Sequence, residues 1–137
     1  MSRFVKDFAK APVAVNDLGY VSWNNDHYVL DLWGLASKEA LETRRSNQEP
    51  GWAGSLADEN DVRFAMIYDT WIGEALPANW TKLGELQTGV PNAFLGGSTV
   101  SFYARDAAEA KRLIPLLEAW SQDLPVGNAF SFAEGVR

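Results

Sequence analysis

Val13-Ala-Val-Asn-Asp-Leu-Gly19 and Tyr28-Val-Leu-Asp-Leu-Trp-Gly-Leu35 decide how this chain is read. Each is a short β-branched run that reaches an acid and then a glycine, Asp17-x-Gly19 in the first case and Asp31-x-x-Gly34 in the second. Strands that end in such turns are the usual place for polar function in α/β proteins. Val13–Val15 reads as a buried strand and Tyr28–Leu32 as a second one. Tyr20 to Trp23 supplies a helical turn and Asn24-Asn25-Asp26 a break. The 11 residues between Asn16 and Tyr28 barely suffice for a crossover between parallel strands. A crossover is expected; a long-looped antiparallel hairpin is its rival.

Outward from that stretch the pattern continues. Phe4, Val5 and Phe8 fall at helical spacing, with Arg3, Lys6 and Lys10 outside, so residues 2–10 predict a short amphipathic helix that Pro12 ends. Ser37 caps a helix running to about Arg45, whose acid-first, base-last order suits the helix dipole. Pro50-Gly51 breaks the chain, and a short helix carries Trp52 and Leu56 to Asn60. Arg63–Tyr68 is a third, central strand ending on Asp69. Trp80–Thr88 and Ser98–Ala104 pair as a hairpin across a Gly, Pro and Asn loop at 89–97. Asp106 caps a helix with the stripe Ala110, Leu113, Leu117 and Trp120, kinked or split at Pro115. After Pro125 the tail is extended, with Phe130 and Phe132 on one side. The sum is one α/β domain over 1–137, a mixed sheet with a Rossmann-like parallel first half, an antiparallel hairpin in the second half, and helices covering it.

Composition narrows the function. The 137 residues hold 47 % hydrophobic residues, 6 Trp, 7 Phe and 4 Tyr, enough to fold around a core without staples. With no cysteine, disulfides and thiolate metal sites are excluded. Twelve Lys and Arg against 18 Asp and Glu leave a net charge of −6, with the bases scattered, so nucleic acid is not an expected partner. No apolar run reaches the roughly 20 residues that span a bilayer, and the N-terminus lacks the apolar core of a signal peptide.

The residues Val13–Gly19 and Tyr28–Leu35, followed in order by Ala65-Met-Ile-Tyr-Asp69 with Trp71, Trp80-Thr-Lys-Leu83 and Thr99-Val-Ser-Phe-Tyr-Ala104, carry a resemblance. From about Phe4 onward the chain resembles the C-terminal soluble region of bacterial multi-spanning membrane glycosyltransferases. These are the GT-C class, similar to protein O-mannosyltransferases and the aminoarabinose transferase. The resemblance implies an accessory extracytoplasmic (periplasmic) domain, non-catalytic alone, of an enzyme using a polyprenyl-phosphate sugar donor. Its partners would be the membrane-embedded portion of the parent and a sugar or lipid-linked sugar. The acidic catalytic residues of that class lie among the membrane helices, so no catalytic residue transfers to this chain. Residues 2–10 would be the linker leaving the last span. Arg3, Lys6 and Lys10 pull the other way, since positive residues beside a span favour the cytoplasmic side.

Asp17, Asp31 and Asp69 each follow a predicted strand. Parallel strands would gather them at one sheet edge, where open α/β sheets bind ligands. Helix capping or turn formation is the commoner use of Asp at such positions. Asp31, flanked by Leu30 and Leu32, is expected to be partly buried and bonded to neighbouring amides. Asn16 and Tyr20 flank Asp17 and join it, with Trp71, as candidate binding residues. Six tryptophans invite sugar stacking, with core packing as the plainer alternative. His27 is the lone histidine and is expected to be exposed; no metal and no cofactor are called for, and no dinucleotide, P-loop or serine-elbow motif occurs. The rival to the accessory role is an independent module that binds a small polar ligand or carbohydrate.

Overall fold

A computed structural model describes residues 1–46, 49–72, 74–89 and 97–136. Most of the predicted loop at 89–97 lies outside the described residues. The sheet has six strands in the order β2-β1-β3-β5-β4-β6. They are β1 (Val13–Val15), β2 (Val29–Asp31), β3 (Phe64–Ile67), β4 (Thr81–Gln87), β5 (Thr99–Ala104) and β6 (Ala129–Phe132). β1 pairs parallel with both β2 and β3, so the connection from Asn16 to Tyr28 is a crossover, carrying the one-turn helix α1 (Gly19–Ser22). β5 turns antiparallel to β3, and β4 lies antiparallel to both β5 and β6. The fold is α/β with a parallel first half and an antiparallel second half, as the strand pattern implies.

β6 goes beyond the sequence reading. The tail after Pro125 is extended, as expected, and the structure supplies its partner: it pairs with β4 as an edge strand. The partner position admits little else than glycine: a Cβ on Gly84 would run into the Ser131 carbonyl oxygen and the Phe130 ring.

Two apolar layers sandwich the sheet. On one face the N-terminal helix (Phe4–Ala9, wound as a wide π-helix) and α5 (Ala107–Ser121) pack on β3, β5 and β4. Phe4 is the hub, with ring centroids 5.3 Å from Trp120, 5.7 Å from Phe102 and 6.1 Å from Phe64. Two arginines lock the helices together. Arg112 forks onto the buried Glu109 at 2.6 and 3.0 Å and donates to the Ala9 carbonyl at 3.0 Å. Arg3 donates to the Asp123 carbonyl at 2.8 Å. The opposite face seats α2 (Lys38–Ser46) and α3 (Gly54–Glu59), where Ala40, Trp52 and Leu56 meet Ala14, Leu30, Ala65 and Ile67.

Local signals act as expected at the helix starts. Ser37 Oγ accepts from the Ala40 amide at 3.2 Å, and Asp106 Oδ1 from the Glu109 amide at 2.8 Å. Of the kink or split expected at Pro115, the split is corrected: α5 runs through it as one helix. Pro115 sits on the exposed side, where water can satisfy the carbonyl it leaves unbonded. No helix among the described residues is long and apolar enough to cross a membrane.

Where β1 and β3 part, one side chain continues their ladder. Asn16, 1 % exposed, donates from Nδ2 to the Tyr68 carbonyl at 2.9 Å and accepts from the Tyr68 amide at 3.0 Å. Removing it strands the buried Tyr68 N–H, at about 1–3 kcal/mol, while the Tyr68 carbonyl keeps the Trp71 amide at 3.0 Å. Asn16→Ala is expected to lower stability by roughly 1–3 kcal/mol, read as a fall in the urea midpoint at unchanged slope.

Candidate functional site

β1, β2 and β3 end at one edge of the sheet, and each hands the chain to a turn bearing one of the predicted acids. The three carboxylates then serve three different purposes.

Asp31 builds a loop. It is 1 % exposed; Oδ1 accepts from the Trp33 amide at 3.0 Å and Oδ2 from the Ala36 amide at 2.7 Å. Gly34 closes this turn at φ +89°, and a Cβ there would lie 2.6 Å from the Leu41 Cβ. From α2, Arg44 lays its guanidinium 4.2 Å over the Trp33 ring and donates to the Trp33 carbonyl at 3.2 Å. Asp31 and Arg44 therefore aim Trp33 rather than meet a ligand.

Asp69 is a hub on the antiparallel half. It opens α4 (Asp69–Ile72) and accepts from Ser101 Oγ at 2.6 Å, Tyr103 Oη at 3.0 Å and Lys82 Nζ at 3.2 Å. Lys82 also holds Glu85 at 2.7 Å. A bulge between Lys82 and Gly84 turns both charges to the same side of β4. Burial opposes the Lys82 charge, yet the hydrogen bonds to Glu85 and Asp69 outweigh it and raise its pKa.

Asp17 is left uncommitted. Its half-buried carboxylate accepts no hydrogen bond and joins no ion pair among the described residues. It lines a crevice of about 600 Å³ with Asn16, Trp33, Leu35, Thr70 and Trp71. The crevice sits outside the carboxyl ends of the parallel strands, the position expected for ligands of open α/β sheets. Trp33 and Trp71 meet edge to face at 5.6 Å, and Trp71 stacks on Tyr68 at 5.2 Å with the planes 16° apart. The aromatic wall is thus braced from both sides.

The structure brings Asn16, Asp17 and Trp71 together at this crevice. Tyr20, 78 % exposed, lies on the other flank of Asp17, in a separate cleft. Asp31 and Asp69 face elsewhere, and no group of three or more metal-ligating side chains forms among the described residues. His27 is half-buried rather than exposed. Sequence reasoning missed Trp33, although the Asp31-x-Trp33 turn was its signal. It also missed the Lys82, Glu85, Ser101 and Tyr103 cluster, whose assembly depends on a bulge.

Two phenols here resist ionisation. Burial first, and then the negative charge of Asp17 or Asp69, pushes Tyr68 and Tyr103 above the ordinary tyrosine value of 10.0. The unfolded chain would ionise these phenols first. Their contribution is therefore intact below the ordinary value and is lost as pH climbs through the raised folded values. Lys82 acts in the same direction. The melting temperature is expected to fall at alkaline pH, and less steeply in a Tyr68→Phe, Tyr103→Phe double variant, as a pH series of thermal melts will read.

A family model described as a domain of unknown function, DUF8728, matches residues 1–103. That span includes every residue of the crevice. No curated protein and no solved structure matches the chain.

Proposed function

We propose that this chain, which belongs to the DUF8728 family of domains of unknown function, is a non-catalytic accessory domain whose carboxyl-edge crevice binds a sugar-like ligand. One observation carries the reading: Asp17, a carboxylate that the described residues leave unbonded, faces a preformed wall of Trp33 and Trp71. Flat aromatic faces suit the apolar side of a sugar ring, and a free carboxylate accepts its hydroxyls strongly. The volume of about 600 Å³ suits a mono- or disaccharide rather than a polymer.

The larger setting we propose is the extracytoplasmic face of a membrane glycosyltransferase with a lipid-linked sugar donor. The stretches Val13–Gly19 and Tyr28–Leu35 support it by their likeness to that class of C-terminal domain. Large exposed side chains also favour a covering partner: Tyr20 at 78 %, Leu35 at 79 % and Trp23 at 69 % exposure. The rival setting is a free-standing module with the same crevice. The full reading frame separates them, since apolar spans before Met1 support the first and a frame without any removes it.

The binding claim is tested on the chain itself with a panel of neutral pentoses, hexoses and their amino derivatives. At least one should raise the melting temperature saturably, because a ligand of the native state must stabilise it. Asp17→Asn should weaken that ligand about ten- to a hundredfold, the worth of one charge-assisted hydrogen bond. A panel without effect, or undiminished binding to Asp17→Asn, refutes the crevice as a sugar site.

A further inference from the structure

The cleft on the other flank of Asp17 is not explained by the crevice. It holds about 590 Å³ against Val21, Leu86, Val100, Trp120 and Leu124, on the sheet face that carries α5. Three polar groups line it without a partner among the described residues. Ser2 Oγ is buried with no hydrogen bond. The Tyr68 hydroxyl and the half-buried Asp17 carboxylate also bond to nothing among those residues. Folded chains seldom leave a buried hydroxyl such as Ser2 Oγ unpaired, and with a phenol and a carboxylate open beside it on one apolar cavity it marks a place for a ligand.

The charges choose its kind. Asp17 and Asp123 line the cleft with one cation, Arg3, whose guanidinium is engaged by the carbonyls of Trp120 and Asp123 at 3.3 and 2.8 Å. An anionic head group would meet two carboxylates there.

We propose that this cleft binds a compact amphiphile, an apolar ring or short chain ending in a hydroxyl or amine, with its head group held by Asp17 and Tyr68 and its body against Trp120. The site does not depend on the sugar reading, because only Asp17 is shared between the two cavities.

The probes are hexylamine, hexan-1-ol and hexyl phosphate, titrated into the full chain and followed by tryptophan fluorescence and thermal shift. Hexylamine and hexan-1-ol should bind saturably, with hexyl phosphate about tenfold or more weaker than the amine. Leu124→Trp, which fills the cleft from its partly exposed wall, should abolish binding. Tyr68→Phe keeps the ring and should cost several-fold, while Trp33→Ala in the crevice should change nothing. Failure of both the amine and the alcohol to saturate overturns the proposal. So does a preference for the phosphate, binding that survives Leu124→Trp in a folded variant, or loss of binding in Trp33→Ala. A chain that takes up hexylamine but no sugar refutes the crevice reading and leaves this one standing.

Discussion

The double hydrogen bond between Asn16 and the Tyr68 backbone holds the carboxyl edge in place. β1 and β3 are short, and their backbone ladder stops just where the chain must diverge. An amide side chain has one donor and one acceptor at the spacing of a peptide group, so Asn16 adds a rung that the main chain cannot make. Downstream consequences are direct. Tyr68 is fixed at the end of β3, Trp71 stacks on Tyr68, and Trp33 rests against Trp71. Asp17, the next residue after Asn16, is thereby presented between the two cavities without a tether of its own. A carboxylate could not replace Asn16, since it offers no donor to the Tyr68 carbonyl.

Much of this was legible in the residues. β-branched runs at 13–15 and 28–32 and the apolar run at 63–68 located the parallel strands, because buried central strands are apolar on both faces. Ser37 and Asp106 announced helix starts through chemistry that acts over three residues. What stayed hidden depends on long-range pairing. β6 has alternating Phe130 and Phe132, yet its role as a strand requires β4 beside it and a glycine at 84 to let the backbones approach. Pro115 signals a break locally, but exposure of that side of α5 lets water satisfy the carbonyl that the proline leaves unbonded. The Lys82–Asp69–Tyr103 cluster needs a bulge, and a one-residue irregularity in a strand leaves little trace in the residue pattern.

The three acids show why position in sequence does not settle the role of a carboxylate. Asp31 is the last residue of β2, Asp17 and Asp69 each lie two residues past β1 and β3, and all three sit at the same sheet edge. Asp31 is two residues short of a backbone N–H that needs an acceptor, and it satisfies both that amide and another three residues on. Asp69 lies beside β5, whose hydroxyls point across from the antiparallel half, and it is consumed by them. Asp17 has neither neighbour. Local hydrogen-bonding supply therefore sorted three acids at one sheet edge into a loop brace, a network hub and an open acceptor.

An open acceptor at this edge braces nothing among the described residues. Asp17 is half-buried, close enough to raise the Tyr68 pKa, and lies between apolar walls on both flanks. An alanine at 17 would lose no hydrogen bond among the described residues. Asn16 and Asp31 admit no such replacement, because the backbone depends on each. On the two binding proposals above, the aromatic wall on one side and the apolar cleft on the other would be two halves of one recognition edge, built around the single acid of the three that the fold does not use.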